Sequence, residues 1–282
     1  MANVVTTSSS ARAHTATLVV VGPSARLDEA AATLALLDEA GSLRSVLIWT
    51  DASAAPAREG PEYASIAGIK SEHLNNAIAA LRLSSLPTVI WWRGGPANRL
   101  DGAAPLADRV ILDVDDPASL WRRAPALFER TAITDIRWAR LTRWRSAMAH
   151  FFDLPQVRDA SGTFSRLSVS GADRMACTLF AGWLDAALRW EGRVAVELIE
   201  SDAGARISSV TLSGSGADLS VRLLSNSTCL ETQATVADHV IASRVLSLGD
   251  EQLPALLSQE LRVRSRDRAF ERALTATARI GM

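Results

Sequence analysis

The chain has 282 residues, 48% of them hydrophobic and 22% charged, which is typical of a globular protein with a sizeable core. Its 30 basic and 31 acidic residues leave a formal net charge of −1, so no overall charge attracts it to nucleic acid or to an anionic membrane. We therefore expect neither as a partner. The length predicts about two domains, and the Ser- and Thr-rich start predicts a disordered tail at residues 1–15.

Short apolar runs alternate with helical patterns through the first half of the chain. The predicted strands are residues 15–22, 44–50, 88–92 and 106–114, and the predicted helices are residues 24–40, 71–83 and 116–130. Strands that alternate with helices of this length pair in parallel and carry helices on both sheet faces. The fold class predicted for residues 16–132 is therefore α/β, a doubly wound, mainly parallel three-layer domain.

A single long helix is predicted next, as a connector at residues 133–155. Leu141, Trp144, Met148 and Phe151 recur there at helical spacing, and Pro155 ends the pattern. The same periodicity predicts that Leu141, Trp144 and Met148 share one buried face.

The remainder of the chain has a different pattern. It begins with a strand at residues 163–170 and an apolar helix at residues 172–190. Five short strand-like runs follow, at residues 193–200, 206–213, 219–224, 229–236 and 241–248, and helices at residues 249–261 and 265–280 close the chain. Consecutive strands without intervening helices predict antiparallel hairpins. Residues 156–282 are therefore predicted to be an α+β domain with a largely antiparallel sheet.

The sequence offers no catalytic or metal-binding constellation. The four histidines are scattered, and the two cysteines, Cys177 and Cys229, have no metal-ligand spacing. The turn at residues 22–26 lies where a dinucleotide loop would lie but lacks the Gly-x-Gly-x-x-Gly spacing. We therefore expect no metal, no cofactor and no enzymatic activity. The absence of a secretory signal and of a long apolar run, with only two cysteines, predicts a cytoplasmic protein.

Tryptophan and arginine are concentrated in two blocks. Trp91 and Trp92 end a predicted strand and open a loop at its carboxyl end, where open α/β sheets bind ligands. Residues 137–145 contain four arginines and two tryptophans. Interfaces between proteins are enriched in these two residue types. The candidate partner-binding residues are Trp92, Arg93, Arg99, Arg137, Arg140, Arg143 and Arg145.

Three segments together resemble the glucose-6-phosphate dehydrogenase assembly proteins of the OpcA family. They are residues 86–94, 106–109 and 138–145, and residues 181–190 and 219–224 are similar to the second domain of that family. The resemblance covers about residues 16–280. It implies a bacterial, non-catalytic partner that assembles glucose-6-phosphate dehydrogenase into an active oligomer and allosterically activates it in the oxidative pentose phosphate pathway.

Two other functions fit the same sequence. One is an α/β sensor or enzyme that binds a sugar phosphate at the loop from Trp92 to Arg99. The other is a scaffold that binds the dehydrogenase without changing its kinetics. Within the leading hypothesis, Arg140 and Arg143 help to form the binding surface, whereas Trp144 holds its helix in place.

Overall fold

The structure is a computed structural model that describes residues 15–38, 43–50, 63–66, 69–83, 85–201, 204–225, 228–263 and 265–281. It divides into two compact units. The first contains the described residues up to Ile136 together with residues 252–267, and the second contains residues 137–251 and the chain from Arg268 onward. Residues 252–267 were predicted as part of the second domain instead. The predicted tail, apart from Thr15, lies outside the described residues.

The first unit is built on a six-stranded parallel sheet. Its strands are β1 (Ala16–Gly22), β2 (Leu43–Trp49), β3 (Tyr63–Ile66), β4 (Thr88–Trp92), β5 (Arg109–Leu112) and β6 (Ala132–Asp135). They lie in the order β3-β2-β1-β4-β5-β6, and every pair is parallel. This order is that of the doubly wound dinucleotide-binding folds, so the predicted α/β class is confirmed.

Helices follow most of these strands. They are α1 (Leu27–Asp38), α2 (Leu74–Leu81), α3 (Ala97–Ala103) and α4 (Ala118–Arg123), with α9 (Leu253–Arg262) from later in the chain. Strand β4 is buried along its whole length, including both Trp91 and Trp92, which are 0% exposed. Successive strand residues point to opposite faces, so both sheet faces are covered, as in other parallel sheets.

Helix α9 belongs to the first unit because its apolar side packs against that unit. Leu253, Leu256 and Leu257 are buried, and the helix packs on α1. Glu260 of α9 pairs with Arg109, and both side chains are almost fully buried. Periodicity identified the apolar side of this helix but could not identify which sheet it covers.

The second unit contains a six-stranded mixed sheet. Its strands are β7 (Phe164–Gly171), β8 (Ala195–Glu200), β9 (Ser209–Gly214), β10 (Ala217–Leu223), β11 (Cys229–Val236) and β12 (His239–Ser247). The order is β12-β11-β10-β9-β7-β8, and every pair except β7 with β8 is antiparallel. The predicted α+β class with a largely antiparallel sheet is confirmed.

One predicted hairpin is absent from this sheet. Strand β8 pairs in parallel with β7 and lies at the sheet edge, while β9 pairs with the other side of β7. A helix, α8 (Arg174–Leu188), connects β7 to β8, and such a crossover returns the chain parallel to the strand that it left. Strands β8 and β9 are therefore not neighbours, although no helix separates them in the sequence.

The remaining helices of the second unit are α6 (Thr142–Phe151), α7 (Pro155–Asp159) and α10 (Arg268–Thr277), and α5 (Ile136–Arg140) begins at the division between the units. Helices α5 and α6 replace the single predicted connector helix. Residues 132–135, at its predicted start, instead form β6, because they pair with β5 as a strand of the first sheet.

Candidate functional site

The strand order of the first sheet reverses between β1 and β4, the position at which open α/β sheets form their crevice. Open α/β sheets bind ligands there, outside the carboxyl ends of the strands. In this chain the position directly after β4 is held by Arg93, whose side chain is 2% exposed. An arginine buried at the usual ligand position requires partners for its charge.

Arg93 satisfies that requirement entirely within the first unit. Its Nε donates to Oδ2 of Asp113 at 3.1 Å, and its guanidinium pairs with Glu29. A further nitrogen donates to the backbone carbonyl of Arg26 at 3.3 Å, in the turn between β1 and α1. Its guanidinium carbon lies 4.6 Å from the ring centroid of Trp91, whose Nε1 also donates to Asp113 at 3.1 Å. The side chain thus ties the ends of β4 and β5 to the first turn.

The loop after β4 also closes against the turn after β1. A Cβ atom on Gly94 would lie 2.6 Å from Cδ of Pro23. Only glycine permits this approach, and Pro23 has no backbone N–H to offer a ligand.

The doubly wound fold implies a dinucleotide, which the residues around the first turn would have to accommodate. A pyrophosphate requires free backbone N–H groups and a positive environment at the first turn. Here the turn carries a proline, Arg93 fills the space above it, and Glu29, Asp113 and Asp115 surround it. Asp51 follows β2 at the usual ribose-binding position but lies outside the described residues. The described residues do not fit a dinucleotide.

The second unit contains a separate cavity of about 240 Å³ that is rich in arginine. Its walls combine three arginines and one glutamate with apolar side chains and a short backbone segment. The lining residues are Arg137, Arg140, Leu141, Trp144, Ala176, Gly204, Ala205, Arg206, Ile207, Leu223, Leu248 and Glu251. All belong to the second unit.

Asp173 fixes one wall of this cavity. Its side chain accepts from the backbone N–H of Ala176 at 3.0 Å and so caps the first turn of α8. The same carboxylate accepts from Nε of Arg137 at 3.0 Å. Arg137 is 8% exposed. Its charge is therefore largely committed to Asp173.

A backbone contact fixes the wall that carries Arg206. The backbone N–H of Asp173 donates to the carbonyl of Arg206 at 3.1 Å. A Cβ on Gly171 would lie only 2.0 Å from that carbonyl oxygen, so a larger residue there would displace backbone. The side chain of Arg206 is exposed at the cavity.

The charges of the cavity act on Glu251. Burial raises the pKa of this carboxyl group above its usual range, and the nearby Arg206 and Arg140 lower it, with burial the larger effect. The proton is thus held more tightly than by an exposed glutamate.

The structure separates the seven candidate partner-binding residues by exposure. Trp92, Arg93 and Arg137 are buried, Arg99, Arg140 and Arg145 are half-buried, and Arg143 is exposed. The guanidinium of Arg145 stacks at 3.4 Å over the ring of Trp138 and is held within the chain. The three buried residues, Trp92, Arg93 and Arg137, contribute to packing within the chain. Arg143 is the most accessible of the seven candidates.

Arg206 and Glu251 were not identified from the sequence. Each lies in an irregular connection, and they are about 45 positions from one another along the chain. Neither belongs to a motif or shows a spacing that relates it to Arg140. Only the folded second sheet brings them together.

The two cysteines differ in environment. Cys177 is buried in α8, and desolvation, with the nearby Asp173, raises the pKa of its thiol to about 12. Cys229 is half-buried.

Among the described residues, no group of His, Cys, Asp or Glu side chains could hold a metal ion, and no helix there is long and apolar enough to cross a membrane.

We expect iodoacetamide at pH 8 to alkylate Cys229 well before Cys177 in the folded protein. Only the thiolate reacts, and a raised pKa keeps Cys177 protonated until far more alkaline pH. Peptide mass mapping over time measures the order of labelling, and the unfolded chain is the control, since both should then react. Equal labelling of the folded protein would contradict this assignment.

Comparisons with known proteins give a consistent result. A family model for the C-terminal domain of a glucose-6-phosphate dehydrogenase subunit matches residues 131–274, about half of the chain. The putative OxPP cycle protein OpcA of Nostoc punctiforme is 26% identical over 264 residues, which covers 78% of this chain and 57% of that protein. The protein of the same name from Synechocystis sp. is 28% identical over 140 residues, 46% of this chain and 30% of that protein. The match thus covers less than two thirds of the length of either curated relative.

The fold itself is also found in a solved enzyme. The aldose-aldose oxidoreductase of Caulobacter crescentus, complexed with glycerol, aligns with a TM-score of 0.51 at 10% identity, covering 95% of this chain and 99% of that one. At that identity the likeness establishes the fold alone. The family model rests on sequence and covers the second unit almost completely, and so this chain belongs to the OpcA family of proteins associated with glucose-6-phosphate dehydrogenase.

Proposed function

We propose that this chain is a non-catalytic, cytoplasmic bacterial protein that assembles with glucose-6-phosphate dehydrogenase and activates it allosterically in the oxidative pentose phosphate cycle. The observation that carries the proposal is the position of Arg93 in the crevice of a doubly wound domain. An enzyme with this fold would hold its dinucleotide there, whereas this chain fills the space with an internal ion-pair network. The family match supports the dehydrogenase as the partner.

The alternative of a sugar-phosphate sensor or enzyme at the loop after Trp92 has less support. That loop would need its arginines for an anionic ligand. Arg93 is already paired with Asp113 and Glu29, and Arg99 is half-buried. Neither is presented as an open cationic group.

Arg143 supports a partner surface in the second unit. It is exposed on α6, and no hydrogen bond or ion pair joins its guanidinium to another residue in the part of the chain that the structure describes. Its neighbour Trp144 is 3% exposed and anchors the same helix. Because the helix is already ordered, only the side chain of Arg143 has to be immobilised when it binds a carboxylate of another protein.

The test of this function is to add the purified chain to the dehydrogenase of the same organism. We expect no oxidation of glucose 6-phosphate by the chain alone, co-elution of the two proteins, and an increased rate of NADPH formation as the chain is added. Co-elution with an unchanged rate of NADPH formation would instead identify a scaffold. Absence of both co-elution and activation would overturn the proposal.

We expect Arg143→Ala to raise the concentration needed for half-maximal activation about tenfold, as for the loss of an interface residue that contributes about 1.4 kcal/mol. Because Arg143 is exposed and unpaired among the described residues, the melting temperature should remain nearly unchanged. Arg158→Ala, which removes an exposed arginine from α7, is the matched control. Equal activation by both variants would place the interface elsewhere.

A further inference from the structure

The two faces of the second sheet differ in burial. Leu167, Leu212, Leu219 and Leu230 are fully buried on one face, and α6 and α8 pack on the strands that carry them. The register of the six strands brings their alternate side chains together on the opposite face, which we call the open face. It consists of alternate residues of β7 from Arg166 to Ser170, of β8 from Ala195 to Ile199, of β9 from Ser209 to Ser213, of β10 from Asp218 to Arg222 and of β11 from Glu231 to Thr235, with Val240, Ser243 and Val245 of β12. Every one of these side chains is exposed or half-buried.

The open face is polar at its centre and apolar at its two edges. The edge strand β8 carries Ile199, which is 41% exposed, and the edge strand β12 carries Val240 and Val245, which are 58% and 61% exposed. Between them, β7, β9 and β10 present mostly hydroxyl groups, which belong to Ser168, Ser170, Ser209, Thr211, Ser213 and Ser220. Antiparallel sheets commonly leave one polar face in water, but exposed apolar side chains on a long edge strand mark a site of association.

A twofold rotation makes the open face complementary to itself. An axis that runs along the strands, midway between β9 and β10, would place β10 over β9, β11 over β7 and β12 over β8 of a second copy. The apolar side chains of β12 then lie over Ile199 of the second copy. Glu231 of β11 lies over β7, which carries Arg166, a residue of opposite charge.

The centre of such an interface would also be complementary. Strand β10 carries Asp218 and Arg222 on the open face, and it would lie over β9, whose open-face residues all carry hydroxyl groups. A hydroxyl group both donates and accepts a hydrogen bond, so a hydroxyl surface can bind a copy of itself. Stacked sheets lie about 10 Å apart, and the small Ser and Thr side chains permit that approach.

The open face is large enough for a specific interface. Six strands spaced by about 4.8 Å make it about 29 Å wide, and strands of six to nine residues make it about 20 to 30 Å long. These dimensions give about 600–900 Å² per chain, compared with about 800 Å² per partner in a standard interface. The formal net charge of −1 imposes little repulsion between two copies.

We propose that two copies of this chain associate through the open face, sheet against sheet, across this twofold axis. The apolar residues of β8 and β12 close the two sides of the interface, and the pairing of Glu231 with Arg166 of the other copy sets its register. The proposal goes beyond association with the dehydrogenase and does not rest on it, since the purified chain alone should dimerise.

Sedimentation velocity of the purified full chain over a range of concentrations tests the proposal. We expect a reversible dimer that dissociates on dilution. Ser220→Arg should weaken the dimer tenfold or more, because its charge would lose water at the centre of the interface. Ser146→Arg is the matched control, since Ser146 is exposed on α6, which packs on the covered face of the sheet. Circular dichroism verifies that both variants fold.

An exchange of charges tests the position of the axis. Glu231→Arg should weaken the dimer about tenfold, because it would place an arginine over Arg166 of the second copy. Combining Glu231→Arg with Arg166→Glu restores opposite charges across the axis and should recover most of the affinity. Failure of the double variant to recover the dimer would overturn the assigned axis.

Two further results would overturn the proposal as a whole. One is a chain that remains monomeric at about 100 μM, and the other is a dimer that Ser220→Arg leaves unchanged. If the chain is monomeric but Ser220→Arg abolishes co-elution with the dehydrogenase, the open face binds that enzyme and not a second copy of this chain.

Discussion

Arg93→Ala is expected to lower the free energy of unfolding by about 3–5 kcal/mol, the range for breaking a buried ion pair by removing one partner. The variant leaves Asp113, whose side chain is only 13% exposed, without its nearest positive charge. It also removes the links from the end of β4 to Glu29 and to the carbonyl of Arg26. Trp91 would still donate to Asp113, which compensates only part of the loss.

Chemical denaturation followed by circular dichroism measures this effect, and the first unit provides a matched control. Arg123 pairs with Asp101 at 2.5 Å, but their side chains are 41% and 47% exposed. Arg123→Ala should therefore cost at most about 1 kcal/mol. A loss below that value for Arg93→Ala would show that the crevice does not depend on this network, and would weaken the case that it replaces a ligand site.

A double variant refines the interpretation. If the unpaired Asp113 carries the cost, then Arg93→Met combined with Asp113→Leu should recover much of the stability, because apolar residues of similar volume often replace buried pairs without loss. If the double variant stays as unstable as Arg93→Ala, the cost lies either in the lost links to the first turn or in the buried N–H of Trp91, which Asp113→Leu leaves without its acceptor. Arg93→Met combined with Asp113→Asn keeps an acceptor for Trp91 and separates these two causes.

The main features of the fold were predictable because they depend on local patterns. Strand β4 at Thr88–Trp92 and strand β11 at Cys229–Val236 have the predicted limits. The two-residue hairpin turn after Gly214 also follows from a local Gly-Ser-Gly signal. Alternation of strands and helices was enough to identify the parallel sheet.

Other elements were missed because tertiary pairing decides them. Strand β3 has only four residues, Tyr63–Ile66, in a stretch for which no strand or helix was predicted, and most of β6 was included in a predicted helix. Both are held by neighbouring strands that are distant in sequence. Such short strands have weak propensity of their own.

The candidate site was likewise predictable only in part from the sequence. A cluster of arginines at residues 137–145 was visible in the sequence, but which arginine packs inward was not. Arg137 is committed to Asp173, 36 residues away, and Arg93 to Glu29, 64 residues away. Helical spacing locates a residue on a face, whereas partners this distant are set by the fold, and so the cavity with Arg206 and Glu251 required the structure.

Trp144→Ala is the second substitution with a large expected effect, a loss of about 3–5 kcal/mol in the free energy of unfolding. Its ring is 3% exposed and lies on the buried side of α6 with Ala147, Met148 and Phe151. Truncation removes this contact area and enlarges the adjoining cavity, two of whose lining residues, Arg137 and Arg206, are held by hydrogen bonds to Asp173. The cost grows with the volume left empty.

Chemical denaturation again gives the measurement, and Ser146→Ala is the matched control because Ser146 is exposed on the same helix. That control should change stability by less than about 0.5 kcal/mol. If Trp144→Ala were equally mild, water or side chains would have to fill the enlarged cavity, and Trp144 would not be what holds α6 in place. A large loss for Trp144→Ala, beside unchanged stability but weaker activation for Arg143→Ala, would separate the packing face of α6 from its partner-binding face.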